Sequence, residues 1–178
     1  MEVVIKPTLR AYFSEILMLI LSAIAILAAP LVPESYRSYW YALPIAVIAL
    51  SYFVSKRAFV LTLISLLPSM ILFYLYGPLY AALALIVVAV EFYMLVIYVR
   101  SMKYVLSDEG LTISVEFPLY SKVRSIPKNV IGEVTVATDA LGKLMGYSEI
   151  IIKLRNGEEV KIEAAPKELA EKVKELIT

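Results

Sequence analysis

The chain has 178 residues, of which 61% are hydrophobic, and a formal net charge of +1. Soluble domains are about 45–50% apolar, so this composition indicates a protein with part of its surface in lipid, and the small charge gives no support for nucleic-acid binding. The sequence contains no Cys and no His, which excludes disulfides, haem, iron–sulfur clusters and His-ligated zinc within this chain.

The first hundred residues contain four apolar runs, which are Ile16–Val32, Tyr39–Val54, Ala58–Tyr76 and Leu79–Val99. A helix needs roughly 20 apolar residues to cross a bilayer, and the third and fourth runs reach this length unaided. The first two reach it only with their flanking Tyr and Ser residues. Short connections and the breaker Gly77-Pro78 predict antiparallel helices. We therefore expect a four-helix transmembrane domain over residues 1–100.

The distribution of basic residues predicts the orientation of this domain. Four crossings would place six bases on one side of the membrane: Lys6, Arg10, Lys56, Arg57, Arg100 and Lys103. Arg37 would lie on the other side. Because Lys and Arg are enriched in cytoplasmic loops, we expect a multi-pass cell-membrane protein with both termini in the cytoplasm. A cleaved signal peptide ending near Ala29 and a soluble four-helix bundle are the alternatives.

After Arg100 the hydrophobic period changes from helical to two, as in the segment LTISVEF. Six strands are predicted, at about residues 102–107, 111–117, 121–126, 131–138, 148–154 and 159–164. The pair Asn156-Gly157 is typical of a tight hairpin. The final segment, from Pro166, predicts an amphipathic helix. Residues 101–178 are therefore expected to form a cytoplasmic antiparallel β-sheet or barrel capped by one helix.

Short pieces of this second half match a known pattern: Tyr104-Val-Leu106-Ser107 with Leu111, Ile126-Pro127 with Ile131, and LGKLMGYSEIIIKLRNG at Leu141–Gly157. With the order of strands followed by one helix, they resemble the pleckstrin-homology-like (PH-like) domains of small bacterial and archaeal membrane proteins. The resemblance covers about residues 102–177 and implies a membrane-apposed module without enzymatic activity. The first hairpin, Asp108–Gly110, is acidic where lipid-binding PH domains carry bases. A five-stranded OB-like barrel is the alternative fold.

Glu91 lies in the fourth apolar run, about 13 Å along a helix from Arg100 and so near the middle of a bilayer. A charge at this depth costs roughly 2.5–3.5 kcal/mol, so we expect a protonated, hydrogen-bonded carboxyl. The candidate partners are hydroxyl side chains: Ser22, Ser51, Tyr52, Thr62, Ser65, Ser69 and Tyr93. Three interpretations stay open, namely a structural hydrogen bond, contact with a membrane-protein partner or second copy, and ion or proton transport by a small transporter or channel subunit.

Two further sets of residues are candidates for surface contacts. Six bases could meet anionic lipid, because the link from the fourth run to the first strand is short; they are Arg100, Lys103, Lys122, Arg124, Lys128 and Lys143. Each base at such a surface contributes roughly 1 kcal/mol, and a solvated sheet face is the alternative. The apolar loop Asp139–Gly146 could enter the interface or bind a partner through Leu141, Leu144 and Met145. A short helical turn packed on the sheet is its alternative.

The sequence carries no signal for catalysis. Nucleotide-binding, nucleophile-elbow and metalloprotease motifs are absent from it, and the acidic pairs Asp108-Glu109 and Glu158-Glu159 fall at predicted turns. We therefore expect no enzyme activity, no cofactor and no metal. The predicted function is a scaffold that presents a PH-like domain at the inner membrane surface to lipid or protein, without nucleic acid. A Lys/Glu-rich second half is also typical of thermophilic proteins.

Overall fold

The computed structural model describes residues 2–117 and 120–177, with side chains as far as Val173 in the last helix. The chain divides into two compact units. The helical unit comprises Phe13–Leu95, and the sheet unit comprises Met1–Tyr12 together with Val96–Thr178. The segment before the first long helix therefore belongs with the strands. The prediction instead placed all of residues 1–100 in the helical domain.

Five α-helices occupy the region between the first strand and the remaining strands. Their bounds are α1 Phe13–Ala28, α2 Ala42–Val54, α3 Lys56–Tyr76, α4 Pro78–Ala81 and α5 Leu85–Ser101. Short 3₁₀ helices adjoin them at Leu9–Tyr12, Ala29–Leu31, Glu34–Tyr41 and Ala82–Ala84. The hydroxyl of Ser55 accepts a hydrogen bond from the Ala58 backbone N–H (3.0 Å) and so caps the start of α3. Gly77 (φ 96°) ends α3, as its pairing with Pro78 predicts.

Helices α1, α2 and α3 pack against one another in the helical unit. Their shared core includes Leu19, Ile26 and Leu66. Along α3, small residues spaced three or four apart are fully buried; they are Ala58, Thr62, Ser65 and Ser69. Small side chains on one helical stripe let helix backbones approach closely, which is the usual means of packing helices in lipid.

Three helices in the described part of the chain are long and apolar enough to cross a membrane, judged by length and composition: Leu9–Leu31, Lys56–Tyr76 and Pro78–Ser101. They correspond to the first, third and fourth predicted runs, although the first helix ends one residue before Val32. The second run differs from the prediction, because its α-helix starts at Ala42 and has only 13 residues. The eight residues before α2 form the 3₁₀ helix Glu34–Tyr41, where Glu34 and Arg37 form an ion pair (2.9 Å).

Seven strands lie in the described part of the sheet unit. They are β1 Val3–Ile5, β2 Met102–Ser107, β3 Gly110–Phe117, β4 Tyr120–Pro127, β5 Ile131–Ala137, β6 Tyr147–Leu154 and β7 Glu159–Pro166. All neighbours are antiparallel, in one sheet of order β1-β2-β3-β4 and a second of order β5-β6-β7. The six predicted strands are confirmed to within two residues at each end. Strand β1 was not predicted, because three residues are too few to show a period of two.

Two further helices belong to this unit: α6 Ala140–Met145 between β5 and β6, and α7 Lys167–Ile177 at the end of the chain. Helix α7 begins one residue later than predicted and contacts β5, β6 and β7, with Ala170 and Val173 fully buried. That it covers an open end of the sheet stays a prediction. The alternating residues Ile150, Ile152 and Ile162 are also fully buried, as the period of two in β6 and β7 requires.

Candidate functional site

One end of the four-stranded sheet, here called the exit end, contains Ile5, the last residue of β1 before the helices, and Met102, the first residue of β2 after them. Ile5, the last residue of β1, lies opposite Tyr104 of β2, and β2 begins at Met102 directly after α5. Met102 lies opposite Val115 of β3, so Phe117 and Tyr120, at which β3 ends and β4 begins, are at this end too. The acidic turn after Ser107 is at the other end, about 17 Å away along β2 at the usual strand rise.

The six candidate bases do not form one cluster. Exposed Lys103 and Lys122 lie near the exit end, where Lys122 is opposite Val115. Lys128 lies beyond the opposite end, because it directly follows β4 and its backbone N–H donates to the Glu109 carbonyl (2.9 Å). Lys128 is therefore at the opposite end of the sheet from Lys103, which follows the candidate span Pro78–Ser101 by two residues.

The remaining three bases are placed separately. Arg124, on β4, donates to the Glu158 carboxylate at the turn between β6 and β7 (2.6 Å). Both side chains are nearly half exposed, so this pair contributes little to stability. Arg100 is exposed in the last turn of α5, and Lys143 is exposed on α6.

Helix α6 corresponds to the predicted apolar loop. The Asp139 carboxylate accepts a hydrogen bond from the Gly142 N–H (2.5 Å) and caps its first turn, and Gly146 (φ 76°) ends it. Gly142 is buried, whereas the Leu141 and Leu144 side chains are 44% and 77% exposed. The alternative of a short helical turn packed on the sheet therefore fits, because α6 contacts β6. That Leu141, Leu144 and Met145 enter the membrane interface or bind a partner stays a prediction.

The Glu91 carboxyl on α5 has one partner in the helical unit, the Ser65 hydroxyl on α3, which donates to Oε2. Its other oxygen, Oε1, is buried without a hydrogen-bond partner among the described residues, and so is the Thr62 hydroxyl. Thr62 and Ser65 are three residues apart on α3, hence on the same helix face. These three polar side chains form the candidate site in the helical unit.

Most other predicted partners of Glu91 are engaged elsewhere or exposed. The hydroxyls of Ser22, Ser51 and Ser69 donate to the carbonyls of Met18 (2.8 Å), Ile48 (2.7 Å) and Ala81 (3.3 Å). Tyr52 and Tyr93 are more than 60% exposed. Three of these hydroxyls thus satisfy backbone carbonyls, which is the common role of Ser in apolar helices.

A buried carboxylate in the helical unit, Glu15, was not singled out from the sequence. It lies in the first turn of α1, is 7% exposed and accepts hydrogen bonds from the hydroxyls of Ser14 (2.8 Å) and Ser55 (3.3 Å). Because Ser55 caps α3, the carboxylate lies near a helix N-terminus, whose dipole favours negative charge. The signal in the sequence that could have identified Glu15 is its position next to Ser14, directly before the first apolar run.

Antiparallel sheets of four and three strands followed by a helix define a PH-like fold. The bacterial PH domain family matches residues 8–178, which include the helical unit as well as β2 to β7. The chain therefore belongs to the bacterial PH domain family, and the predicted resemblance is confirmed. The alternative of a five-stranded OB-like barrel does not fit the seven described strands.

One solved structure that is similar to this chain is the pleckstrin homology (PH) domain of USP37. It is 12% identical, and the match covers 43% of this chain and 73% of that chain with a TM-score of 0.31. Overlap at this level adds nothing to the family assignment. No curated protein matches the chain.

Proposed function

We propose that the chain is a non-enzymatic, multi-pass membrane protein that holds its PH-like domain at the cytoplasmic membrane surface as a scaffold for lipid or protein partners. The observation that carries this proposal is the pairing of β1 with β2. These strands precede and follow the helical unit, yet they are neighbours in one sheet. Because a sheet cannot form across a bilayer, the two strands lie on the same side of the membrane.

The number of crossings between β1 and β2 must therefore be even. Three helices qualify by length and composition, so we propose that the segment Glu34–Val54 supplies a fourth crossing. At about 2.0 Å per residue for its eight-residue 3₁₀ part and 1.5 Å for the 13 residues of α2, it extends about 35 Å, against a hydrocarbon core of about 30 Å. The Trp40 indole N–H donates to the Ala25 carbonyl (3.0 Å), which anchors the 3₁₀ part on α1.

Cysteine labelling tests this topology, since the natural chain has no Cys. Single-Cys variants at Glu2, Lys56 and Asn156 are expected to react with a membrane-impermeant maleimide only after cells are permeabilised. A Pro33→Cys variant is expected to react in intact cells, because exposed Pro33 lies between the candidate span Leu9–Leu31 and the proposed crossing Glu34–Val54. Residues 33 and 56 on the same side would contradict the fourth crossing, and residues 2 and 156 on opposite sides would contradict the pairing of β1 with β2.

Transport through the helical unit is the second candidate, favoured by the buried, unpaired Oε1 of Glu91. We expect the purified chain in proteoliposomes to conduct protons and Na⁺ no faster than empty vesicles. We also expect Glu91→Gln to change the unfolding free energy by less than about 1 kcal/mol, because an amide can keep the Ser65 hydrogen bond. A flux that the wild type supports and Glu91→Gln abolishes would establish transport instead, with Ser14→Ala as a matched control outside this cluster.

A further inference from the structure

The path of the chain before α1 brings α6 close to a candidate membrane span. After β1, the Thr8 backbone N–H donates to the Ala164 carbonyl of β7 (3.1 Å). The next residues form the 3₁₀ helix Leu9–Tyr12, which contacts both β7 and α6. The candidate span Leu9–Leu31 begins with this 3₁₀ helix and continues into α1 without a break. Helix α6 is therefore in contact with the first residues of a span.

The packing of α6 fixes which of its side chains face outward. Gly142 is buried against the sheet, and a Cβ at this position would lie 2.6 Å from the Tyr147 carbonyl oxygen. Leu141 and Leu144 are three residues apart and so share a helix face, on which they are 44% and 77% exposed. Lys143 between them is exposed as well. Two exposed leucines on one helix face beside a lysine are a small apolar surface with one positive charge next to it.

We infer that α6 is an interfacial anchor, in which Leu141 and Leu144 enter the boundary between headgroups and acyl chains while Lys143 binds anionic headgroups. This inference rests on the proposed membrane location of the helices. The bilayer is the occupant that the structure favours, because α6 contacts the start of a span, where the surrounding medium changes from water to lipid. Amphipathic surfaces of this composition lie in the plane of that boundary.

Such an anchor gives the PH-like domain a membrane contact that is separate from its covalent links to α1 and α5. The anchor is also at a different place from the acidic turn Asp108–Gly110, which lies at the end of the four-stranded sheet opposite the exit end. The anchor would restrict rotation of the domain about its links and present a constant face to the cytoplasm. A scaffold requires such a fixed orientation if it is to bind partners in a defined geometry.

The test uses the full-length protein in vesicles of neutral and anionic phospholipid, with an environment-sensitive fluorophore on single-Cys variants. Leu144→Cys probes α6, and Asn156→Cys, on the turn between β6 and β7, is the matched exposed control. We expect the Leu144→Cys probe to emit at shorter wavelength and to be quenched by lipid-attached quenchers at least threefold more than the Asn156→Cys probe. Aqueous iodide is expected to give the reverse order.

Equal iodide quenching at the two sites would overturn the anchor. Protection of the Leu144→Cys probe from both quenchers, increasing with protein density, would also overturn it in favour of protein contact. A probe at Val90→Cys, which is 54% exposed on α5, separates these results from failure of the proposed function. If lipid-attached quenchers do not reach Val90→Cys, the helices do not lie in the bilayer. If they do reach it while Leu144→Cys stays in water, the anchor alone is wrong.

Discussion

Replacing Ile5 with Asp is expected to unfold the four-stranded sheet while leaving the helical unit intact. Ile5 is fully buried, although β1 has only three residues. Truncating such a side chain to Ala costs about 2–5 kcal/mol, and an unpaired carboxylate in its place costs more. Because a whole domain is stable by only about 5–15 kcal/mol, we expect hydrogen exchange of the β2 and β3 amides to lose most of its protection in the detergent-solubilised full chain.

The neighbouring residue provides the control for this experiment. Val4 points to the other face of β1 and is 38% exposed. Val4→Asp introduces the same charge one residue away, and we expect it to change the protection of β2 little. Equal protection in Ile5→Asp and the wild type would show that β1 does not hold the sheet together, and it would remove the basis for an even number of crossings. A fragment that starts at residue 101 lacks β1, so binding experiments require the full chain.

Strands β3, β6 and β7 could be predicted from sequence because the segments LTISVEF, EIIIKL and EVKIEA within them have a period of two. Strand β1 could not, because Val3–Ile5 has no period of its own and its partner β2 begins almost a hundred residues later. The length of α2 was also beyond sequence reasoning. The segment before it, ESYRSYWY, is polar and aromatic without a helical apolar stripe. Its Trp40 stacks on Phe73 of α3 (ring centroids 4.4 Å apart), a tertiary contact that the sequence alone does not reveal.

The candidate sites were predictable to different degrees. Glu91 was found because an acid inside an apolar run is costly wherever the helices pack. Its partner Ser65 could not be chosen among seven hydroxyls, because the rotation of each helix depends on tertiary packing. Glu15 was missed because it lies at the edge of its run. The distribution of the basic residues over the sheet could not be predicted, since only the register shows that Lys128 lies at the opposite end of the sheet from Met102.

Gly110→Ala is expected to disrupt the junction of β2, β3 and β4. Gly110 has φ 144°, and an added Cβ would lie 2.1 Å from the Ile126 carbonyl oxygen and 2.9 Å from the Lys128 backbone nitrogen. Positive φ costs a residue with a side chain about 1–3 kcal/mol, and overpacking adds about 1–3 kcal/mol. Because both colliding atoms are backbone, β4 must move away from β3 at the buried pair Leu111 and Ile126. We expect a loss of about 3 kcal/mol or more.

The matched control is Gly157→Ala, which separates collision from conformational strain. Gly157 also has positive φ (85°), at the confirmed hairpin between β6 and β7, but a Cβ there would meet no atom within 4 Å. Gly157→Ala is therefore expected to lower the unfolding free energy only through the left-handed backbone conformation, by about 1–2 kcal/mol. The protection of the β3 and β4 amides from hydrogen exchange in the full chain should therefore fall much more in Gly110→Ala than in Gly157→Ala. Equal effects would mean that β3 and β4 are not held in the register that places Lys122 near the exit end and Lys128 far from it.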